Sequence, residues 1–186
     1  MTDFQLHDET TAPAASKPML KDSAKSFGMI PNLHRTMAES PELLDAYKHL
    51  HTLFLNTSFT ATEQNVIWLT INVEHDCHYC VPAHTAIAHS MKVAPEVIEA
   101  LRQGQPLSND KLESLRTFTL AVVRQRGAVR QQQVDAFLAA GYDRKQVLEV
   151  LLGVAQKVMS NYLNHIAETP LDQPFEKFVW HPGQAA

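Results

Sequence analysis

The apolar residues of this chain recur at steps of three and four along most of its length. One such pattern runs from Leu43 to Phe54 and a longer one from Val147 to Ile166. Steps of three and four place side chains on one face of a helix, whereas a half-buried strand would alternate apolar and polar residues. The 186 residues include only six glycines and ten prolines, too few to punctuate the short strands of an all-β protein. The sequence therefore predicts an all-α protein.

Glycine and proline residues mark the expected helix boundaries. Gly28, Pro31 and Pro41 break the region before residue 41 into short pieces. Ser40 precedes Pro41 and predicts an N-cap followed by the first helical residue. Asp143 predicts the N-cap of the last, long helix in the same way.

The length suits one domain with appended ends. We expect a flexible N-terminal arm at residues 1–15, a helical domain at 16–169 and a C-terminal tail at 170–186. The tail carries Phe175, Phe178 and Trp180, so it is expected to dock on the domain or on a neighbouring subunit.

Composition and charge narrow the class of partner. Hydrophobic residues make up 45% and charged residues 19% of the chain, as in ordinary globular proteins. The net charge of −4 argues against a nucleic-acid partner, which normally requires a basic surface. The polar N-terminal segment does not resemble a signal peptide, and the apolar stretches are too short to span a membrane. We expect a cytoplasmic protein with no membrane partner.

The only two cysteines lie three residues apart, within Glu74-x-x-Cys77-x-x-Cys80-x-x-x-His84. Two cysteines cannot form a disulfide framework that stabilises a fold of this size. Their spacing is instead typical of redox or metal chemistry in an intracellular protein. On one helix, Cys77, Cys80 and His84 would share a face, and the two thiols could close a disulfide across a turn. The motif therefore predicts a pair that cycles between dithiol and disulfide.

A reactive thiol at neutral pH needs help to ionise, because its ordinary pKa is about 8.5. His84 lies one turn beyond Cys80 and is the expected base. Asp76 is a candidate N-cap, which would place Cys77 in the first helical turn. Glu74 could fold back to orient His84 and stabilise its charged form.

Two other interpretations of the cysteines stay open. A zinc site built from Cys77, Cys80, His84 and His89 has suitable ligand types, but neighbouring positions on a single helix do not easily surround an ion. The cysteines could also be incidental buried residues. We favour the redox interpretation and expect neither a metal nor a cofactor.

The motif and its surroundings resemble the carboxymuconolactone decarboxylase superfamily, in its alkylhydroperoxidase D (AhpD)-like, peroxidase-related branch. The resemblance lies in Glu74-His-Asp-Cys77-His-Tyr-Cys80-Val-Pro-Ala-His84, in the segment that starts Thr60-Ala-Thr-Glu63-Gln-Asn65, and in the upstream segments beginning at Gly28 and Ser40. It covers about residues 25 to 105.

The resemblance implies an AhpD-like helical bundle that assembles into homo-oligomers, commonly trimers or hexamers. It also implies that Cys80 attacks the peroxide after its proton passes to His84, and that Cys77 resolves the sulfenic acid into a disulfide. Small organic hydroperoxides or hydrogen peroxide would be the substrates, and a dithiol would supply the electrons.

One position departs from the family pattern. AhpD itself has a glutamate twelve residues before the first cysteine, as part of its proton relay, whereas this chain has Asn65. Either Glu74 or Glu63 takes the orienting role, or peroxidase activity is weak.

The sequence thus predicts a thiol-dependent peroxidase with Cys80, Cys77, His84 and Glu74 as its catalytic residues. A general disulfide oxidoreductase or redox sensor that uses the same pair on protein thiols is the alternative. A third possibility is a helical assembly protein without enzymatic activity, whose cysteines merely respond to oxidation.

A polar cluster late in the last helix has no role in this scheme. Asn161, Asn164 and His165 share one helix face. We interpret them as hydrogen-bonding residues at a helix end or a subunit contact, in preference to a trace of an internal repeat.

Overall fold

The computed structural model describes residues 4–181, which form α-helices and no β-strand. The expectation of an all-α fold is confirmed. The helices are α1 (Lys17–Phe27), α2 (Asn32–Met37), α3 (Pro41–Leu55), α4 (Ala61–Glu74), α5 (Cys80–Ser90), α6 (Pro95–Arg102), α7 (Asp110–Arg124), α8 (Gln131–Ala139) and α9 (Arg144–Ala167), followed by a 3₁₀ helix at Gln173–Phe178. Over residues 4–181, no helix has the length and apolar character that a membrane crossing requires.

Side-chain caps fix where the principal helices begin. The Ser40 hydroxyl accepts a hydrogen bond from the Leu43 amide, and Asp143 accepts one from the Gln146 amide, so both expected N-caps are confirmed. Thr60 and Glu63 form a reciprocal capping box at the start of α4. Each cap satisfies amide groups that have no partner inside the helix.

Helix α4 is the centre of the main hydrophobic core. Its residues from Val66 to Ile71 are buried, and it packs against α5, α6, α7 and α9. Gly153 of α9 allows the closest approach, because a Cβ atom there would lie 2.7 Å from Cε2 of Phe54 and 2.9 Å from Cγ2 of Ile67. A methyl group at this position would therefore force neighbouring helices apart.

A second apolar cluster surrounds the two cysteines. It joins Leu20 of α1, Leu44 and Tyr47 of α3 and Tyr79 to Cys77 and Cys80, all of them buried. The two cysteines that are expected to react thus lie in a packed interior and not on a surface loop.

Both ends of the described chain pack on this domain. Within the expected N-terminal arm, the His7 amide donates to the Arg35 carbonyl and Ala12 is buried, while residues 1–3 lie outside the described part. The tail docks on its own domain: Asp172 accepts hydrogen bonds from the Tyr79 hydroxyl (2.5 Å) and the Asn32 amide (3.0 Å). Trp180 donates its indole N–H to the Arg102 carbonyl, and residues 182–186 lie outside the described part.

Candidate active site

The turn between α4 and α5 places the two cysteines. The Cys77 amide donates to the Asn72 carbonyl and the Asp76 amide to the Val73 carbonyl, which closes α4 with a Schellman motif. Asp76 has a left-handed backbone (φ 50°) and lies after the end of α4. Helix α5 begins only at Cys80.

Two expectations about this segment were wrong. Asp76 does not cap the helix, since its backbone ends the preceding one, and Cys77 lies in the turn and not in the first turn of α5. Cys80 is instead the first residue of the helix. The partial positive charge of the helix N-terminus therefore favours a thiolate at Cys80.

The cysteines are free thiols that lie next to each other. The backbone amide of Cys80 donates a hydrogen bond to Sγ of Cys77 at 3.2 Å. Cys77 and Cys80 are 0% and 1% exposed. This arrangement suits disulfide formation inside the protein, since neither thiol needs to reach another molecule to find a partner sulfur.

Helix α9 supplies polar contacts to Cys80. Asn164 donates its side-chain N–H to Sγ of Cys80 at 3.2 Å, and Ser160 Oγ lies 3.8 Å from the same sulfur. Asn161 donates to Oδ1 of Asn72, and His165 bonds the carbonyl of His75. The polar cluster that the sequence left without a role therefore joins α9 to the cysteine motif within one chain.

Lys157 of α9 is the residue that sequence reasoning missed. Its side chain is fully buried, and Nζ lies 2.8 Å from Nε2 of His84 and beside Cys80. Lys157, Ser160, Asn161 and Asn164 stand at relative positions 0, 3, 4 and 7 and form a polar stripe on one face of α9. That stripe was the available signal.

These contacts shift the pKa values of the two cysteines in opposite directions. Burial raises the pKa of Cys80, but the hydrogen bond from the Cys77 thiol, the charge of Lys157 and the contacts to α9 outweigh it and lower the pKa to about 5. The hydrogen bond to Cys80 and burial raise the pKa of Cys77. These opposite shifts favour a thiolate at Cys80 and a protonated thiol at Cys77 at neutral pH.

The expected contact between Glu74 and His84 is absent from the site. Glu74 accepts two hydrogen bonds of 2.7 Å from Arg124, and Glu63 is held by the capping box and lies 3.7 Å from Lys111. Nδ1 of His84 is buried without a hydrogen-bond partner. Neither glutamate is therefore positioned to orient His84.

Asn65 contacts neither cysteine nor His84. Its side-chain N–H donates to the Ala61 carbonyl and to Sδ of Met91. His89 stacks on Phe178, with ring centroids 5.3 Å apart, so it is not gathered with the cysteines. Across residues 4–181, no three His, Cys, Asp or Glu side chains are grouped in a way that could hold a metal ion.

A cavity of about 620 Å³ reaches the site. Cys80, His84 and Lys157 contribute to its wall. Most of the rest is apolar or aromatic, from residues that include Phe27, Met29, Tyr47, Leu55, Ile87 and Phe175. A cavity of this size accommodates an organic molecule many times larger than hydrogen peroxide.

Comparison with solved structures identifies the fold. An uncharacterised peroxidase-related protein from Ralstonia eutropha JMP134, described as an alkylhydroperoxidase AhpD core, superposes with a TM-score of 0.82 at 19% identity, over 92% of this chain and 93% of that one. A peroxidase-related protein from Silicibacter sp. TM1040 gives 0.79 at 16% identity, over 94% and 92%. The debrominase Bmp8, in a cysteine-to-alanine variant bound to 2,3,4-tribromopyrrole, gives 0.78 at 17% identity, over 95% of both chains.

No protein-family model matches the sequence, and no curated protein matches it. The likeness therefore lies in three-dimensional structure across nearly the whole chain. This protein has the fold of the AhpD core and of the peroxidase-related proteins similar to it.

Proposed function

We propose that this protein is a thiol-dependent peroxidase that reduces organic hydroperoxides. The observation that carries the proposal is the position of Cys80 at the wall of a cavity, where Asn164 donates to its sulfur and Cys77 lies beside it. The lowered pKa of Cys80 agrees with this arrangement. A nucleophilic thiolate and a resolving thiol are the two groups that such a reaction requires.

The chemistry balances with these two residues. The Cys80 thiolate attacks the outer oxygen of the hydroperoxide, so an S–O bond forms, the O–O bond breaks and an alkoxide leaves to take up a proton. Cys77 then attacks the sulfenic acid, forming the disulfide and releasing water. The peroxide is reduced, the dithiol is oxidised, and an external dithiol restores both thiols.

The cavity supports an organic substrate. Its wall is largely apolar, which favours the alkyl or aryl part of a hydroperoxide through removal of apolar surface from water. Hydrogen peroxide has no such part and would gain nothing from these contacts.

His84 belongs to the proposed site because it lies on the cavity wall in contact with Lys157. Glu74 does not, because both of its carboxylate oxygens are bound to Arg124.

The test is reduction of cumene hydroperoxide with dithiothreitol by the wild type, Cys80→Ser and Cys77→Ser. We expect turnover by the wild type and none by Cys80→Ser. Cys77→Ser makes the same atomic change three residues away and is the matched control. In a separate assay without dithiothreitol, Cys77→Ser should consume one equivalent of peroxide and accumulate a sulfenic acid that dimedone traps. Equal turnover by wild type and Cys80→Ser would refute the proposal.

A second candidate function is thiol-driven removal of bromine from an aromatic ring. It is favoured by the apolar cavity at Cys80 together with the shared fold of Bmp8, a debrominase crystallised with a tribromopyrrole. The Cys80 thiolate would attack bromine, breaking the C–Br bond and forming S–Br, and the ring carbon would take up a proton. Cys77 would then displace bromide to form the disulfide. Bromide release from tribromopyrrole with a dithiol donor tests this candidate.

A general disulfide oxidoreductase acting on proteins fits the site less well. Cys80 is 1% exposed, so a protein disulfide could not reach its sulfur in this conformation. Reduction of insulin disulfides by the wild type at a rate equal to peroxide reduction would favour that alternative.

We also propose a homo-oligomer. Leu148, Leu151, Tyr162 and Ile166 of α9 are 65%, 45%, 54% and 63% exposed, and they fall within about 60° of one another around the helix. An apolar stripe of this kind marks a protein contact. Sedimentation of the wild type against Leu148→Glu tests it, with a trimer or hexamer expected for the wild type and a smaller species for the variant.

A further inference from the structure

Lys157 is a buried lysine without a carboxylate partner. Burial lowers its pKa, and the neighbouring thiols of Cys80 and Cys77 oppose that shift. Its side chain is fully buried, and within residues 4–181 its Nζ hydrogen bonds with Nε2 of His84 and forms no ion pair with Asp or Glu. A buried ammonium is costly unless it is paired. The group beside it that can carry a negative charge is the thiol of Cys80.

His84 is unsuited to carry the positive charge. Burial, the charge of Lys157 and the neighbouring His51 lower the pKa of His84 well below its ordinary value. If Lys157 is the ammonium, Nε2 of His84 accepts the hydrogen bond between them, and the proton of the neutral ring is then on Nδ1.

The other titratable groups around Cys80 are neutral as well. Burial raises the pKa of Tyr47 and of Tyr79, and burial with the charges of Lys157 and Lys48 lowers the pKa of His51 to about 4. Cys77 keeps its proton. Among these groups, Lys157 is thus the base whose charge lowers the pKa of Cys80.

We propose that Lys157, and not His84, balances the charge of the Cys80 thiolate and donates the proton that the leaving group takes up. The first part concerns the resting thiol alone, and the second rests on the proposed peroxidase function. In the reaction the alkoxide takes a proton from the Lys157 ammonium, giving the alcohol and a neutral amine. When the external dithiol later reduces the disulfide, the returning Cys80 thiol gives its proton to that amine, and the starting ion pair is restored.

The charge-balancing role is tested by alkylation of Cys80 with iodoacetamide across pH, read site by site by mass spectrometry. Lys157→Met removes the charge at similar length, and we expect the midpoint for Cys80 to rise by about one to three pH units. His84→Gln should leave the midpoint within about half a unit, because the ring it replaces is neutral. The reverse pattern, with the large shift in His84→Gln, would overturn the proposal.

Lys48→Met is the matched control. Lys48 also contributes to the cavity wall but is paired with Asp22 at 2.8 Å. The Cys80 midpoint should stay at the wild-type value in this variant. An equal shift of the Cys80 midpoint in Lys48→Met and Lys157→Met would mean that any lysine at the cavity can stabilise the thiolate. The specific role of Lys157 would then be wrong.

A measurement on the wild type covers the case in which Lys157→Met does not fold. Nitrogen NMR of histidine-labelled protein, with His84 assigned by comparison with His84→Gln, reports the charge of the ring. We expect a neutral ring protonated on Nδ1 throughout the range in which Cys80 is a thiolate. A charged His84 ring in that range would overturn the proposal.

The proton-donor role is tested by the rate of a single turnover with cumene hydroperoxide. At a pH above the raised Cys80 midpoint, Lys157→Met again has a thiolate but no ammonium, and we expect a rate about 100-fold below the wild type. A wild-type rate for Lys157→Met at that pH would overturn the role of Lys157 as proton donor. Alkylation needs no peroxide, so a protein without peroxidase activity would refute the proposed function and leave the charge-balancing result intact.

Discussion

Nζ of Lys157 lies 2.8 Å from Nε2 of His84, and both side chains are buried where α5 meets α9. Lys157, His84 and Cys80 all contribute to the wall of the same largely apolar cavity, and the charge of Lys157 lowers the pKa of Cys80. The sulfur is therefore surrounded by a buried ammonium, an amide N–H from Asn164 and the N-terminus of α5. All three favour the thiolate.

Cys80 should react as a thiolate across the physiological pH range. Since its pKa is lowered to about 5, the charged form dominates above that pH and is lost as the pH falls through it. We expect the rate of Cys80 alkylation to be nearly constant from about pH 6 to 8 and to decline below about pH 5. Alkylation of Cys77 should remain slow over the same pH range. A Cys80 midpoint near its ordinary value of about 8.5 would contradict the site described above and favour a merely oxidisable thiol.

Asn164 should contribute to the acidity of Cys80. Asn164→Ala removes the N–H that donates to the sulfur at 3.2 Å. A hydrogen bond to a charged group contributes about 1.5–3 kcal/mol, so the Cys80 midpoint should rise by about one to two pH units. Asn161→Ala is the control, because Asn161 bonds Asn72 and not a sulfur, and its midpoint should match the wild type.

The cavity should discriminate between peroxides by size. Ala86 contributes to its wall and is partly exposed, so Ala86→Phe narrows the space without entering the core. We expect KM for cumene hydroperoxide to rise about tenfold or more and kcat/KM for hydrogen peroxide to stay nearly unchanged. Ala136→Phe places the same bulk on the exposed face of α8, away from the cavity wall, and should alter neither value. Equal losses for both peroxides in Ala86→Phe would mean that this cavity does not bind the organic part.

Gly153 should be essential for the packing of α9. Gly153→Ala places a methyl group under 3 Å from Phe54 and Ile67, and overpacking of this kind lowers the free energy of unfolding by about 1–3 kcal/mol. Urea denaturation measures the loss. In an exposed helix position alanine is favoured over glycine by about 1 kcal/mol, so stabilisation by Gly153→Ala would contradict the close contact described here.

Local signals predicted much of the helical framework. Ser40 and Asp143 cap helices as expected, because an N-cap needs only a side-chain oxygen and the amides two or three residues later. The apolar residues that recur at steps of three and four from Leu43 to Phe54 and from Val147 to Ile166 lie in α3 and α9. The all-α class required no more than these patterns.

These local signals did not predict the residue at which α5 begins. Aspartate is a common N-cap residue. Here the Schellman motif at the end of α4 puts Asp76 in a left-handed conformation, and α5 begins only at Cys80. Because α5 begins at Cys80, the helix N-terminus and the side-chain contacts favour a thiolate at the same sulfur.

Contacts between distant helices account for the rest of the site. Lys157 is 73 residues from His84, and nothing near either residue in the sequence indicates their pairing. Glu74 lies three residues before Cys77, yet it pairs with Arg124 of α7, 50 residues away. Sequence spacing identified the thiols, whereas tertiary packing determined which charged groups reach them.

The most direct test of the central claim is a single turnover of the reduced wild-type protein with one equivalent of cumene hydroperoxide. We predict one equivalent of the alcohol and, by mass spectrometry, a chain that has lost two hydrogen atoms through a disulfide between Cys77 and Cys80. Recovery of the hydroperoxide unchanged, with both cysteines still free, would contradict the account.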